Sequence, residues 1–558
     1  MENRALIALA LSFVVFIAFI YLGGQFKQTP PPPAEAPQIQ APAKPVPPPL
    51  AAKAAPPPTP APAGRPAREV VVDTPLFKAV FTEAGARLVS FQLKKYRQAM
   101  PIDTVYNFTL GPVGFEVERF KNSGDDKAKP KELVRPGAQE EYPLGLAWEG
   151  KGLTVPATLP YQASAPKLEL KPGDTATLTF TGATPQGVSF TRTFTFKADT
   201  YSFDQAVKVA NHSPQALEGS LDLSLSEDYT AEDASKYPFL GFLGGINKSR
   251  EEIKTGGMKE PKVFTGKVDW AGLDEGYFLT AVIPGSPKAA VTVVEKPKGP
   301  MLATVRTPVE SLAPGQDTQF NYTLYFGPKD LDDLNAVGLA SLVDFGWFDF
   351  LGKPFLYSLK FFERYTGNYG WAIVILTIIL RIVFFYPNHK SYKSMKDMQK
   401  LQPKVAKIRE KYKDDKEAMN KELMALYRTF KVNPLAGCMP MAMQLPVFIA
   451  LYNVLGYAIE LRHATFIATL PFTNIVWLAD LSAKDPLLIT PIIMGASMVL
   501  QQKMTPSPGD PAQAKMMMFL PIIFTFMFLN FASGLVIYWL VNNILSIAQQ
   551  YYTNKHLT

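Results

Sequence analysis

Cysteine occurs once in these 558 residues, at Cys438, and histidine four times, at His212, His389, His463 and His556. A lone thiol excludes an internal disulfide framework and any multi-cysteine metal site. Histidines scattered this widely give no ligand spacing and no acid–base dyad, so no metal is expected. The P-loop pattern G-x-x-x-x-G-K-[S/T] is absent, which removes the usual cradle for a nucleotide phosphate. The expectation is therefore a protein that is not an enzyme and needs no cofactor, with a membrane-tethered sugar-acting enzyme as the rival that acid–base pairs in residues 70–343 would favour. Charge is scarce as well, 19% of residues against 47% apolar. The apolar mass gathers at the extreme N-terminus and in the last third, too clustered for an ordinary soluble protein.

What is present falls into four stretches. In residues 1–28, Arg4 precedes an apolar run at 5–22, about the length that crosses a bilayer core of ~30 Å. A cleaved signal peptide and a retained anchor both begin this way. "YLGGQFKQ" offers no small-x-small cleavage site, which favours a signal anchor with Arg4 held in the cytoplasm. Residues 29–69 are dense in proline, which fixes φ and removes amide donors, so this stretch reads as an extended linker. A proline-rich ligand for a recognition module is the other reading.

Residues 70–345 alternate with period two in several places. "TATLTFTGATPQGVSFTRTFTFKADTYSFDQAVKVANHS" is a series of β-branched and aromatic runs broken by Gly, Pro and Asn, the pattern of a large antiparallel β-sandwich. Its one histidine, His212 in "NHSP", sits in a turn signal, so no acid–base set is apparent. A scaffold without chemistry, and sugar or peptide binding, both stay open.

The last third, 346–558, opens with an aromatic and basic helix at 348–366 suited to a membrane interface. Apolar spans follow at about 369–386, 435–457, 487–502, 516–530 and 532–549. With the N-terminal anchor they make six, which puts both termini on one side. The segment between the first two of these spans is rich in Lys and Arg and is cytoplasmic by the positive-inside rule, so the β domain is external. In it Met398, Leu401, Val405, Ile408 and Tyr412 step by three and four, as do Met419, Leu423, Leu426 and Phe430, with "KDD" between. That predicts an antiparallel helical hairpin over 390–431 whose outer face carries Lys400, Lys404, Lys407, Arg409 and Lys411. The net charge of +8 lies largely here, where anionic lipid heads or ribosomal RNA could meet it; DNA is not an expected partner.

Arg381, inside "LTIILRIVFFYP", is the anomaly, because a guanidinium in hydrocarbon costs at least ~2.5 kcal/mol. It could snorkel toward the cytoplasm, or line an internal aqueous pocket. Thr377 lies one turn earlier on the same face, and the last span carries Tyr538, Asn542, Ser546 and Gln549 as a polar stripe, with Gln444 and Asn453 on another span. No carboxylate sits near mid-membrane to neutralise the arginine, which argues against a proton relay or cation pathway. Fourteen of the 18 methionines lie from Met395 onward, suiting either ordinary packing or surfaces that accept many apolar sequences.

The sequences "LTIILRIVFFYP", "MQKLQPKVAKIREKYKDDKEAMNKELMALYRTFKVNPLAGCMPMAMQLPVFIALYNVL", "DLSAKDP", "ITPIIMG", "QQKM" and "FASGLVIYWLVNNILSIAQQ", with the anchor, linker and β domain before them, resemble the YidC membrane protein insertases of Gram-negative bacteria. The resemblance implies a polytopic α-helical membrane protein of six transmembrane helices, five forming an insertase core, with a large periplasmic β-sandwich related in fold to sugar mutarotases. It implies a hydrophilic groove open to the cytoplasm and to lipid, which takes in nascent hydrophobic segments, alone or with the Sec translocon. Arg381 matches the groove arginine and Thr377 the polar residue before it; Gln444, Tyr538, Trp539 and Asn542 are the further groove candidates. Trp539 stands where relatives carry a second tyrosine. The hairpin matches the region that meets the ribosome or targeting machinery. A small-solute transporter or channel is the alternative, and would call for paired intramembrane charges or internal repeats, of which the sequence has neither. The sequence sets no oligomeric state, and a monomer would serve.

Overall fold

The computed structural model describes residues 67–556 apart from 99–101, 111–112, 121–128, 138–140, 152, 154, 156–157, 231–232, 234–236, 238, 259, 286–287, 297–298, 414, 431, 433–438 and 505–510. The expected anchor at 1–28 and nearly all of the 29–69 linker lie outside them. The described chain forms two compact units. Residues 67–98 and 129–339 make a β unit; residues 102–120 and 340–556 make a helical one.

In the β unit, alternation does what the sequence asks of it. Along Val188–Lys197, Phe190, Arg192, Phe194 and Phe196 turn inward and Thr191, Thr193 and Thr195 outward. A five-stranded sheet runs in the order Pro130–Glu132, Leu88–Arg97, Phe77–Thr82, Glu69–Asp73, Lys167–Glu169. Its last pair is parallel, so the wholly antiparallel expectation is corrected there. The reason is connectivity: Lys167–Glu169 arrives from a long excursion rather than a hairpin. The remaining fourteen strands form one hydrogen-bonded system. Phenylalanines hold the two together: Phe81 lies 4.9 Å from Phe194, and Phe91 lies 5.3 Å from Phe326. Each fully buried ring is worth about 1.5–3 kcal/mol.

The fourteen-stranded system is two sheets joined by one long strand, Lys262–Asp274. Its residues 262–267 pair with 288–293, and its residues 271–274 pair with 279–282. At the crossover Gly266 takes φ 127°, a backbone that suits glycine, and the Asn247 side chain fills the gap in the ladder. Asn247 Nδ2 donates to Thr265 O at 3.1 Å, and its Oδ1 accepts from Lys267 N at 2.8 Å.

Arg192 is fully buried among the phenylalanines. Nη1 donates to Gly85 O at 2.8 Å, Nη2 to Leu144 O at 2.9 Å, and the Gln205 amide oxygen accepts from Nη2 and Nε at 2.9 and 3.0 Å. Ala86 (φ 48°) and Leu144 (φ 64°) are left-handed, so this guanidinium pins two strained turns. The β unit closes with helix α1, Leu331–Ala336, capped by Asp330, whose Oδ1 accepts from Asp332 N at 2.8 Å.

The helical unit contains α2 (Asp349–Thr366), α3 (Tyr369–Val383), α4 (Phe385–Lys411), α5 (Lys416–Thr429), α6 (Met439–Tyr457), α7 (Ile489–Met504), α8 (Pro511–Phe528) and α9 (Ser533–His556). A two-stranded hairpin, Ile102–Leu110 with Val113–Phe120, leaves the β region in sequence and groups with this unit. Caps mark the helix starts: Asn368 Oδ1 accepts from Gly370 N at 2.8 Å, and Asp415 Oδ1 from Ala418 N at 3.0 Å. Gly367, at φ 64°, ends α2 in the left-handed cap.

One expected span is not a single element. The stretch 369–386 ends at Val383, and α4 leaves at 60° to α3. Pro387 supplies the cause, since it has no N–H and its ring collides with the carbonyl four residues back, that of Val383. Among the described residues no single helix is long and apolar enough to cross a bilayer alone; this bent pair passes together. The six-helix expectation thus meets helices shorter than it assumed. Helix α9 runs on past the expected end at 549 to His556. Between α6 and α7 a turn at Ile459–Leu461 and a small hairpin, Ile467–Thr469 with Val476–Leu478, appear without having been anticipated.

Candidate functional site

Helix α9 runs through the middle of the helical unit and touches α3, α4, α6 and α7. The polar residues meet along it. Arg381, in the last turn of α3, is 9% exposed, and its Nη2 donates to the Tyr392 hydroxyl on α4 at 3.4 Å. Its Nε has no hydrogen-bond partner and its guanidinium no carboxylate among the described residues. Tyr538, 3% exposed on α9, lies beside the Gln444 amide of α6 and within electrostatic reach of Arg381. Gln444 Nε2 donates to Asn542 Oδ1 at 3.4 Å. Arg381, Tyr538, Gln444 and Asn542 therefore share one locus drawn from three helices.

The other groove candidates stand apart from that locus. Thr377 is buried, and its hydroxyl donates to Ile373 O at 2.7 Å within its own helix. Trp539 points into an aromatic cluster, 4.9 Å from Phe448 on α6 and 5.2 Å from Phe528 on α8. The stripe on α9 also divides. Ser546 Oγ donates back to Asn542 O at 2.7 Å, while Gln549 reaches α4. Asn453 is a tie and not a lining group, donating to Phe345 O at 2.7 Å.

Helices α4 and α5 form the basic hairpin. Leu401 and Val405 are buried on the inner face, with Met419, Leu423 and Leu426 half-buried on the facing helix. Lys400, Lys404, Lys407 and Lys411 are exposed and Arg409 is half-buried. Lys404 Nζ sits 4.0 Å from the centroid of the Phe430 ring, and Lys400 pairs with Asp397 at 3.2 Å.

At the opposite end of α3, α7 and α9, the 458–488 segment is stitched across the helix starts. Asp485 accepts from Trp477 Nε1 at 3.0 Å, Thr490 N at 2.6 Å and Thr490 Oγ1 at 2.7 Å, capping α7. Ser533 Oγ donates to Asp480 O at 3.0 Å, Ser533 N to Ala483 O at 2.7 Å, and Asn368 Nδ2 to Phe466 O at 3.0 Å. His463 Nδ1 lies 2.9 Å from Asp480 Oδ2, and that contact, with two bonds from Ser482, outweighs burial and holds the Asp480 carboxyl below its ordinary range. The "DLSAKDP" motif thus closes this end. Its Asp485–Pro486 pair is the turn signal that could have marked it.

The outer faces of α3, α7, α8 and α9 are apolar. Ile382 is 69% exposed, and Ile492, Ile493, Phe519, Ile522, Ile523 and Ile544 are also open. A soluble surface rarely leaves so many large apolar side chains bare, and lipid is the medium that covers them.

A family model described as 60Kd inner membrane protein matches residues 361–558, and one described as YidC periplasmic domain matches 113–358. A protein of Syntrophus aciditrophicus named membrane protein insertase YidC is 42% identical over 577 aligned residues, covering 100% of both chains. Proteins of the same name from Geotalea daltonii, 42% identical with 100% of both chains covered, and Nitratidesulfovibrio vulgaris, 41% identical with 99% of both covered, are as similar. A crystal structure of an active YidC insertase with its first transmembrane domain resolved aligns with 88% of this chain and 93% of its own, at 17% identity and a TM-score of 0.37. A galactose mutarotase-like protein from Lactobacillus casei aligns with 46% of this chain and 99% of its own, at 12% identity and a TM-score of 0.31. The assignment rests on the full-length sequence relatives and the two family models, and on these grounds the chain belongs to the YidC family of membrane protein insertases.

Proposed function

We propose that the helical unit takes a nascent hydrophobic segment from the cytoplasm into a hydrophilic groove and releases it sideways into the lipid of the inner membrane. Arg381 carries this reading. A guanidinium almost sealed among apolar helices, bonded to a phenol and unneutralised by any carboxylate among the described residues, is a receptor for a transient anion. The acidic or polar flank of an entering segment is such a guest. Tyr538, Gln444 and Asn542 supply further polar contacts, and Thr377 and Trp539 shape the walls from either side. The missing carboxylate also weighs against the alternative, a small-solute transporter or channel.

In this reading α3, α6, α7, α8 and α9 cross the membrane, and with the anchor at 1–28 they give six crossings with both termini cytoplasmic. The linker at 29–69 then ties the anchor to the periplasmic β unit at 70–345. Helix α7 has 16 residues, about 24 Å at 1.5 Å per residue, and α3 with 15 is shorter still. Both fall short of a ~30 Å hydrocarbon core, which favours a locally thinned bilayer and a lower barrier for a polar flank. The 458–488 stitch closes the periplasmic end, while α4 and α5 project into the cytoplasm. Lys400, Lys404, Lys407, Arg409 and Lys411 suit contacts with the ribosome and anionic lipid, and clients arrive directly or from the Sec translocon. The free energy comes from the client entering lipid, so no catalytic group or cofactor is needed.

Photo-crosslinkers at Gln444 and Asn542, with lipid-facing Ile544 as control, test the groove in cells making a single-span client. Capture of nascent chain at the first two and not at Ile544 is expected; capture at none of them overturns the groove. For a client with an acidic flank, Arg381→Lys should keep more insertion than Arg381→Ala. Equal insertion by both variants and the unsubstituted chain would reduce Arg381 to a snorkelling anchor.

A further inference from the structure

The bend between α3 and α4 is gripped from outside. Three side chains in the last turns of α9, Gln549, Gln550 and Thr553, are 6%, 1% and 1% exposed. Gln549 Nε2 donates to Phe385 O, in the first turn of α4, at 2.9 Å. Thr553 Oγ1 lies 3.2 Å from His389 Nδ1 one turn further along α4. Gln550 Nε2 donates to Met504 O, at the end of α7, at 2.8 Å. On the same stretch of α4, Asn388 and Ser391 are buried, and Tyr392 accepts the bond from Arg381. The base of the hairpin is thus held by α9 on one side and holds the groove arginine on the other.

A bend made by Pro387 interrupts the backbone ladder, and the broken backbone by itself does little to fix the angle at which α4 leaves. Side-chain amides bonded to carbonyls at the bend can fix it. We propose that Gln549 and Thr553 set the angle of the cytoplasmic hairpin to the groove, and that Tyr392 passes that setting to Arg381 by holding its guanidinium. All three are positioning residues. A pull or push on the hairpin by a bound partner then moves Tyr392 and alters how the guanidinium is presented to an acidic flank. The inference rests on the groove reading above and adds to it the element that reports hairpin position to the groove.

The test uses the full chain in lipid nanodiscs with Cys438→Ser, spin labels placed by Lys407→Cys on α4 and Ile544→Cys on α9, and distances measured between them by electron resonance. Insertion is measured in parallel for two clients that differ only in an acidic or a neutral flank. Gln549→Leu with Thr553→Val should broaden the distance distribution. It should also lower insertion of the acidic client roughly three- to tenfold, the scale of one or two lost hydrogen bonds, with the neutral client much less affected. Tyr392→Phe should reproduce that client preference with the distances unchanged, and Thr553→Ser should restore both readouts. Equal loss for both clients would mark a merely structural role and overturn the proposal, as would unchanged distances in the double variant. Arg381→Ala is the companion measurement. If it lowers acidic-client insertion while Tyr392→Phe does not, the positioning proposal fails and the groove stands; if Arg381→Ala has no effect, Arg381 is a snorkelling anchor and the positioning proposal falls with it, the groove itself being decided by the crosslinking at Gln444 and Asn542.

Discussion

Two buried arginines show how differently the same side chain is used. Arg192 in the β unit is satisfied by three oxygen acceptors, those of Gly85, Leu144 and Gln205, and holds left-handed turns in place. Arg381 in the helical unit has one long bond to Tyr392 and an Nε without a partner among the described residues. A satisfied buried cation is architecture, and an unsatisfied one is available to a guest. Arg192→Met should cost the β unit several kcal/mol, since each acceptor left bare in the interior costs about 1–3 kcal/mol. Thermal unfolding of the full chain should show the β transition lowered while insertion at permissive temperature persists. Arg381 was legible because an apolar run advertises any charge within it. Arg192 was equally readable in principle, since "FTRTFTF" puts it in the inward register with three phenylalanines, but among polar neighbours it attracts no notice. The partners of both lie far away in sequence, and no local pattern carries them.

Among the elements, apolar periodicity carries no mark of where a helix breaks. The inward steps at Leu401 and Val405 predicted the hairpin face, and both are buried. The bend at Phe384 was missed because apolarity continues across it while Pro387 acts backwards on Val383. The hairpin at 467–478 was missed because its paired strands have three residues each, too few for alternation to register. The exposed lysines of α4 lead to a prediction at this scale. Replacing Lys400, Lys404, Lys407 and Lys411 together by Gln should weaken sedimentation with ribosomes and with anionic vesicles, and should flatten its dependence on salt, because fewer counterions are released. Helix content by circular dichroism should barely change, since none of the four is buried.

Across the whole molecule, the two units answer to different solvents, and the β unit carries a buried charge cluster that responds to pH. In the β unit Arg135 binds three carboxylates: Nε lies 2.8 Å from Glu227, Nη1 2.6 Å from Asp233 and Nη2 2.8 Å from Glu275, which also pairs with Lys131 at 2.8 Å. Burial and the neighbouring Glu275 charge push the Glu227 carboxyl well above its ordinary range, against the pull of Arg135. Folded protein therefore holds a proton that unfolded protein has released, over the window from the unfolded value of about 4.5 up to the raised one. In that window stability contributed by Glu227 falls as pH rises. Glu227→Gln should remove this slope, so the substituted chain should gain on the unsubstituted one as melts move from pH 5 to pH 8. The fold class of both units was legible because composition and alternation report burial. The charge cluster was not, since its members are contributed by residues 131, 135, 227, 233 and 275, which only the folded sheets assemble.

The strand Lys262–Asp274, shared between two sheets and stitched at Gly266 by Asn247, has a consequence for how an exported domain comes apart. Opening either sheet at this strand strips ladder bonds from the other, so neither offers a low-energy route to local unfolding. Amide protons on both sheets are then released by one common opening, and the domain stays closed to proteases, or yields, as a single body.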